Sequence, residues 1–176
     1  MILTGPQIKK EVEKQSITIS PFDPRHLNPN SYNFSLGDKI KTYNEKIIDP
    51  KKINKVKEIV IPSGGLVLSP RKLYLGHIAE TIGSEHFVPI IKGRSSVGRM
   101  GLFIVITADL IDLGAIGKWT LQLHAIQPVR IYKGMRIGQM TFWKTSGKKI
   151  LYKGKYQGAT GPQETLAYKD IGRPSR

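Results

Sequence analysis

Cysteine is absent from the 176 residues, which removes disulfides, thiolate nucleophiles and every cysteine-based zinc site. Histidine is scarce, and His26, His77, His86 and His124 share no ligand spacing, so no bound zinc is expected. Long apolar runs are missing too. None approaches the ~18 residues that a bilayer span needs, and Met1-Ile2-Leu3-Thr4 leads straight into polar sequence. These absences predict a soluble, cytoplasmic protein with no membrane partner.

Acidic residues are few, 13 against 28 Lys and Arg, for a net charge of +15. Such a chain attracts polyanions, nucleotide phosphates or nucleic acid among them. The basic residues are scattered, denser only at Lys51, Lys52, Lys55 and Lys57 and again at Lys144, Lys148, Lys149, Lys153 and Lys155, and most read as solvated surface. Aromatic residues do not interleave with them as single-strand binders require, so nucleic acid is not the expected partner.

What is present is strand signal. Thr4-Gly5-Pro6-Gln7 predicts a short amino-terminal helix, with Thr4 as cap, Pro6 in the first turn and Gln7 at the capping-box position. Ile8 and Val12 share its inner face, and the β-rich run Ile17-Thr18-Ile19 ends it. Beyond this point helical period is nearly absent. Short β-branched and aromatic runs follow, punctuated by Gly, Pro, Asn and Asp: Tyr32–Leu36, Lys39–Tyr43, Glu58–Ile61, Leu66–Leu68, Leu73–Glu80, Phe87–Lys92, Phe103–Thr107, Trp119–Ala125, Val129–Tyr132 and Arg136–Trp143. That spacing predicts a mostly β chain folded as a sandwich, barrel or jelly roll. Along Trp119–Ala125 the apolar Trp119, Leu121 and Leu123 alternate with Thr120, Gln122 and His124, so one face of that strand is free to line a site. A single domain is expected over residues 1–162, followed by a basic tail at 163–176.

Gly93-Arg94-Ser95-Ser96-Val97-Gly98-Arg99 places two guanidiniums and two hydroxyls in one short turn after an apolar strand. Arginine forks match phosphate oxygens, and small residues let an anion approach the backbone. Downstream come Thr107-Ala108-Asp109-Leu110-Ile111-Asp112-Leu113-Gly114, Gly117-Lys118-Trp119-Thr120-Leu121-Gln122, Gly134-Met135-Arg136-Ile137-Gly138-Gln139 and Gly154-Lys155-Tyr156-Gln157-Gly158. Ser31-Tyr32-Asn33-Phe34-Ser35-Leu36-Gly37 stands near the front. In this order, from Met1 to about Pro162, the chain resembles the dCTP deaminases of the dCTP deaminase and dUTPase superfamily, including bifunctional members that go on to dUMP.

The resemblance implies a distorted β-barrel or jelly roll of the dUTPase-like β-clip kind, a homotrimer with active sites between subunits, and dCTP or dUTP as partners. It implies that Arg94, Ser95 and Ser96 hold phosphates and order the catalytic water, and that Arg99 polarises the reacting region. The backbone about Ala108 and Ile111 reads the pyrimidine edge, Asp112 holds the 3′-hydroxyl, and Thr120 and Leu121 contribute to substrate binding. Lys155, from a neighbouring subunit's tail, clamps the triphosphate, with Tyr152 beside it. Magnesium enters through the substrate phosphates, and the base chemistry is free of zinc, since the zinc-deaminase signature requires cysteine.

The sequence departs from that pattern at three positions. Gln122 stands where the family carries the glutamate that deprotonates water, and a carboxamide can orient a water but cannot take its proton. Ala159 replaces a glutamine that contacts the triphosphate, and Ala115 replaces an aromatic residue. Three accounts of Gln122 are open: an introduced exchange that removes the base, a natural chain in which Asp109 or Asp112 takes over, or a protein that binds nucleotide without turnover. The expected function is hydrolytic deamination of dCTP to dUTP and ammonia, impaired or altered at Gln122. The alternatives are hydrolysis of dUTP to dUMP and pyrophosphate, and nucleotide binding alone.

Overall fold

The computed structural model describes residues 1–171; the end of the predicted tail, 172–176, lies outside the described residues. Helix α1, Gly5–Glu13, starts where the Thr4-Gly5-Pro6 run predicts. Thr4 is the cap by position only, since its side chain makes no capping hydrogen bond. Gln7 instead points forward along the helix, its Nε2 donating to Glu11 Oε1 at 2.7 Å, so the expected capping box does not form. Ile8 is fully buried and Val12 packs against the core, which docks the helix by its predicted face.

Strands dominate the rest. In chain order they are β1, Thr18–Ser20, β2, Leu27–Asn28, β3, Ser31–Ser35, β4, Lys39–Tyr43, and β5, Val56–Val60. Next are β6, Leu66–Leu68, β7, Tyr74–His77, β8, Thr81–Gly83, and β9, Phe87–Gly93. After helix α2, Ser95–Arg99, come β10, Leu102–Phe103, β11, Ile116–Gly117, β12, Thr120–Ala125, β13, Val129–Ile131, and β14, Arg136–Lys144. Among the described residues the ladders are antiparallel and fall into four sheets: β1-β8-β11, β10-β12-β7-β4-β5, β13-β6 and β2-β3-β14-β9. The architecture is mostly β with a short amino-terminal helix, as predicted; the sheets stay open and do not close into a barrel.

Two of these sheets position the site. In β12 the side chains of Leu121, Leu123 and Ala125 are buried while Thr120, Gln122 and His124 are half-buried on the other face, the alternation a strand with one wet face must show. Strand β3 departs from that simple pattern because both of its faces are covered. Tyr32 and Phe34 sit in the core, and the buried polar residues that alternate with them are satisfied across the sheet, Ser31 Oγ donating to Gln139 Oε1 at 2.8 Å and Asn33 Nδ2 to Asn28 Oδ1 at 3.2 Å. Buried polar groups persist only when partnered in this way.

The predicted strand Phe103–Thr107 is mostly not a strand. Leu102 and Phe103 pair with Ala125 and His124, Ile104 O still accepts from Gln122 N–H at 2.9 Å, and the chain then bends away where the Gln122 side chain takes the place of the ladder, its Oε1 accepting the N–H groups of Ile106 at 3.2 Å and Thr107 at 3.4 Å. The predicted run Leu73–Glu80 likewise shortens to β7, and β8 begins immediately afterwards with a different partner. Helix α2 forms where the sequence reads as a basic turn.

Candidate active site

A cavity of about 540 Å³ opens over the polar face of β12, where Thr120 and Gln122 form its floor. Tyr43 of β4 and Leu75 of β7 supply one wall, and the bend from Ile106 to Asp112 supplies another. The turn into β11 is tight: Ala115 N–H donates to Asp112 O at 3.0 Å, and Gly114 at φ +86° adopts a conformation that a side chain would strain. Asp112 is thereby left exposed at the cavity edge.

The third wall is the carboxy-terminal segment, which returns across the chain's own cavity. Tyr152 N–H donates to Leu113 O at 2.8 Å, and Lys118 N–H to Ala159 O at 2.7 Å. Gln157 brackets the Gly114 turn, its Oε1 accepting from Ile116 N–H at 3.1 Å and its Nε2 donating to Gly114 O at 2.9 Å. Farther on, Gln163 N–H reaches Thr120 Oγ1 and Thr165 N–H reaches the Tyr43 hydroxyl, each at 2.9 Å. Lys41 and Glu164 pair at 2.7 Å. Partial burial pushes the Glu164 carboxyl up, but the Lys41 ammonium outweighs it and holds the group below its ordinary range.

The cavity brings together Ala108, Ile111, Asp112, Thr120, Gln122, Tyr152 and Ala159 from the residues singled out in sequence. Leu121 points the other way and is fully buried in the core, which leaves only its backbone near the site. Arg94, Ser95, Ser96 and Arg99 are not part of the cavity wall. They ride on and beside α2, where Ser95, Ser96 and Arg99 are exposed and Arg94 Nη1 donates to Arg136 O at 3.3 Å. Gly98 of the same helix lines an adjoining groove of about 350 Å³, which shares Ile91, Ile106 and Thr107 with the main cavity. Lys155 is bound to Asp170 and lies over the Tyr156 ring.

Asp109 faces that adjoining groove, not the cavity. Its carboxylate pairs with Lys92 Nζ at 2.6 Å, and the hydrogen bond from that ammonium keeps its pKa below the usual carboxylate value. Among the described residues no group of three or more Asp, Glu or His side chains is arranged to hold a metal ion.

Sequence reasoning missed Tyr43, Leu73, Leu75, Gln163, Glu164 and Thr165 as cavity residues. No motif marks them, because they arrive by pairing between distant strands and by the return of the tail. Trp119, read from sequence as part of an apolar strand face, also forms cavity wall beside Ala115; its indole Nε1 donates to Ile82 O at 2.7 Å. A concave site with apolar walls and a few convergent polar groups is the form of a small-molecule site.

Comparison with known proteins gives that site a family. Residues 2–145 match the model for dCTP deaminase-like proteins. Over 172 residues, 97% of this chain and 99% of each relative, the chain is 46% identical to a protein of Clostridium acetobutylicum and 47% identical to one of Hathewaya histolytica, both named dCTP deaminase, dUMP-forming. The chain belongs to the dCTP deaminase-like family. Its fold is also that of the crystal structure of 2′-deoxycytidine 5′-triphosphate deaminase from Agrobacterium tumefaciens, with a TM-score of 0.63 at 21% identity over 80% of this chain. This chain spans about half of that longer one, 47% of its length.

Proposed function

We propose that this protein is a hydrolase of pyrimidine deoxynucleoside triphosphates whose reaction is deamination of dCTP to dUTP and ammonia, slowed by Gln122. The observation that carries this reading is the convergence of Ala108, Ile111, Asp112, Thr120 and Gln122, from separate stretches of a dCTP deaminase-like chain, on one cavity. In the reaction a water adds to C4 of cytosine, ammonia leaves, and the water's proton must be accepted. Gln122 can hold the water but cannot accept that proton. A missing general base costs on the order of 10²- to 10⁴-fold in rate.

Homotrimerisation belongs to the same proposal. The cavity of one chain lacks Arg94, Ser95, Ser96 and Arg99, and the groove beside it exposes Phe103 and Ile106. A neighbouring copy seated there buries that apolar surface and carries its own arginine–serine helix to the cavity, where guanidiniums and hydroxyls meet the phosphates. Magnesium arrives as the magnesium–nucleotide complex. The donors fit this role, since magnesium on phosphates needs few protein ligands and Asp112 lines the cavity.

A second reading, hydrolysis of dUTP to dUMP and pyrophosphate, is favoured by one observation: Asp112 is an exposed cavity carboxylate able to act as base on a water attacking the α-phosphate. Incubation with dCTP or dUTP and magnesium, with ammonia, dUMP and pyrophosphate followed separately, tests both. Ammonia from dCTP supports the first and pyrophosphate from dUTP the second; binding without any product reduces the protein to a nucleotide binder.

A further inference from the structure

The orientation of the Gln122 carboxamide is set by its neighbours. Both groups facing Oε1 are backbone N–H donors, of Ile106 and Thr107, so the amide cannot be reversed without setting donor against donor. Oxygen is thereby committed to the bend. The amide nitrogen, a donor and nothing else, is the polar group that the side chain offers to the cavity it floors.

We infer that Gln122 is a specificity-determining residue that selects pyrimidines with an acceptor at C4, so that the site holds deoxyuridine nucleotides in preference to deoxycytidine nucleotides. This rests on the reading of the cavity as the pyrimidine site. Uracil presents O4, an acceptor that the Gln122 N–H completes. Cytosine presents an amine, a second donor, and in a half-buried site one of the two donors is left unpaired.

The test is titration calorimetry of the whole protein with magnesium and three α,β-imido deoxynucleoside triphosphates, carrying uracil, cytosine and pyrimidin-2-one, the last bare at C4, with the cytosine ligand recovered afterwards and shown to be undeaminated. The uracil analogue is expected to bind on the order of 10-fold or more tighter than the cytosine analogue, with the bare ring between them. In Gln122→Met, which keeps bulk and removes the donor, the uracil-to-cytosine ratio is expected to fall toward one. Equal affinities in the native chain overturn the inference and leave the pyrimidine site standing, as does a ratio that survives in Gln122→Met. Failure of all three analogues to bind overturns the site reading and the inference with it. The ligand series is read on the native chain, so it decides the matter even where the variant folds poorly.

Discussion

Lys41 Nζ lies 2.7 Å from Glu164 Oε2, and this bond between β4 and the returning tail joins residues 123 positions apart. Both side chains are mostly shielded, at 19% and 24% exposure, so solvent screens the pair less than it would at the open surface. The tail is therefore held against the cavity by a charge contact as well as by backbone bonds.

A pH dependence follows from the sign of the Glu164 shift. Its carboxyl titrates below its ordinary value of 4.5 in the folded chain, so the folded state binds the proton less readily than the unfolded state does. The stabilisation is fully present above that ordinary value and is lost as pH falls through the lowered folded value. Protection factors at Gln163 and Thr165, taken against the intrinsic exchange rate at each pH, are expected to fall in that acidic window in the native chain, and Glu164→Gln should show lower protection at neutral pH with no further fall on acidification. An identical acid profile in the variant would count against the ion pair.

Gly117→Ala probes the same strap from its other end. A Cβ at Gly117 would stand 2.9 Å from Ala159 N and 3.0 Å from Ala159 O, and because both are backbone atoms the whole segment, not a flexible side chain, has to shift. The strap is expected to lift, with faster proteolysis within residues 150–165 and a raised KM for nucleotide. Proteolysis at the native rate would mean that the strap does not depend on this contact.

Gln122→Glu is expected to raise ammonia release from dCTP by ~10²- to 10⁴-fold. One carboxylate oxygen can accept the same N–H groups of Ile106 and Thr107, which also favour the ionised form, while the other faces the cavity as a base. A rate no different from that of the native chain would place the limiting step elsewhere.

Arg99→Ala separates the subunit-shared site from a single-chain one. Arg99 is exposed on α2 and outside its own cavity, so the exchange should leave thermal stability within ~0.5 kcal/mol. Turnover is nonetheless expected to disappear under the proposed trimer, in which this side chain would serve the neighbour's cavity. Full turnover in the variant, or sedimentation of the native chain as a monomer, would remove α2 from the site.

Local pattern makes much of this protein legible. The alternation along Trp119–Ala125 announces a strand with one polar face, and that face becomes the cavity floor, because side chains in a strand alternate whatever the strand pairs with. The order of the Arg-Ser, Ala-Asp and Gly-Lys-Tyr segments carries the family for the same reason: motifs are local. Other features depend on contacts that no local pattern encodes. Ile106 and Thr107 have strand-forming neighbours, yet Gln122, far along the chain, captures their N–H groups and bends them around the site. Gln163, Glu164 and Thr165 look like part of a polar tail, and they become cavity wall only because Thr120, Tyr43 and Lys41 are brought beneath them. Local pattern thus accounts for most of the strands, Phe103–Thr107 apart, and for the ordered motifs that carry the family; which residues meet depends on the folded chain, since hydrogen bonds and ion pairs between distant segments exist only once those segments are brought together.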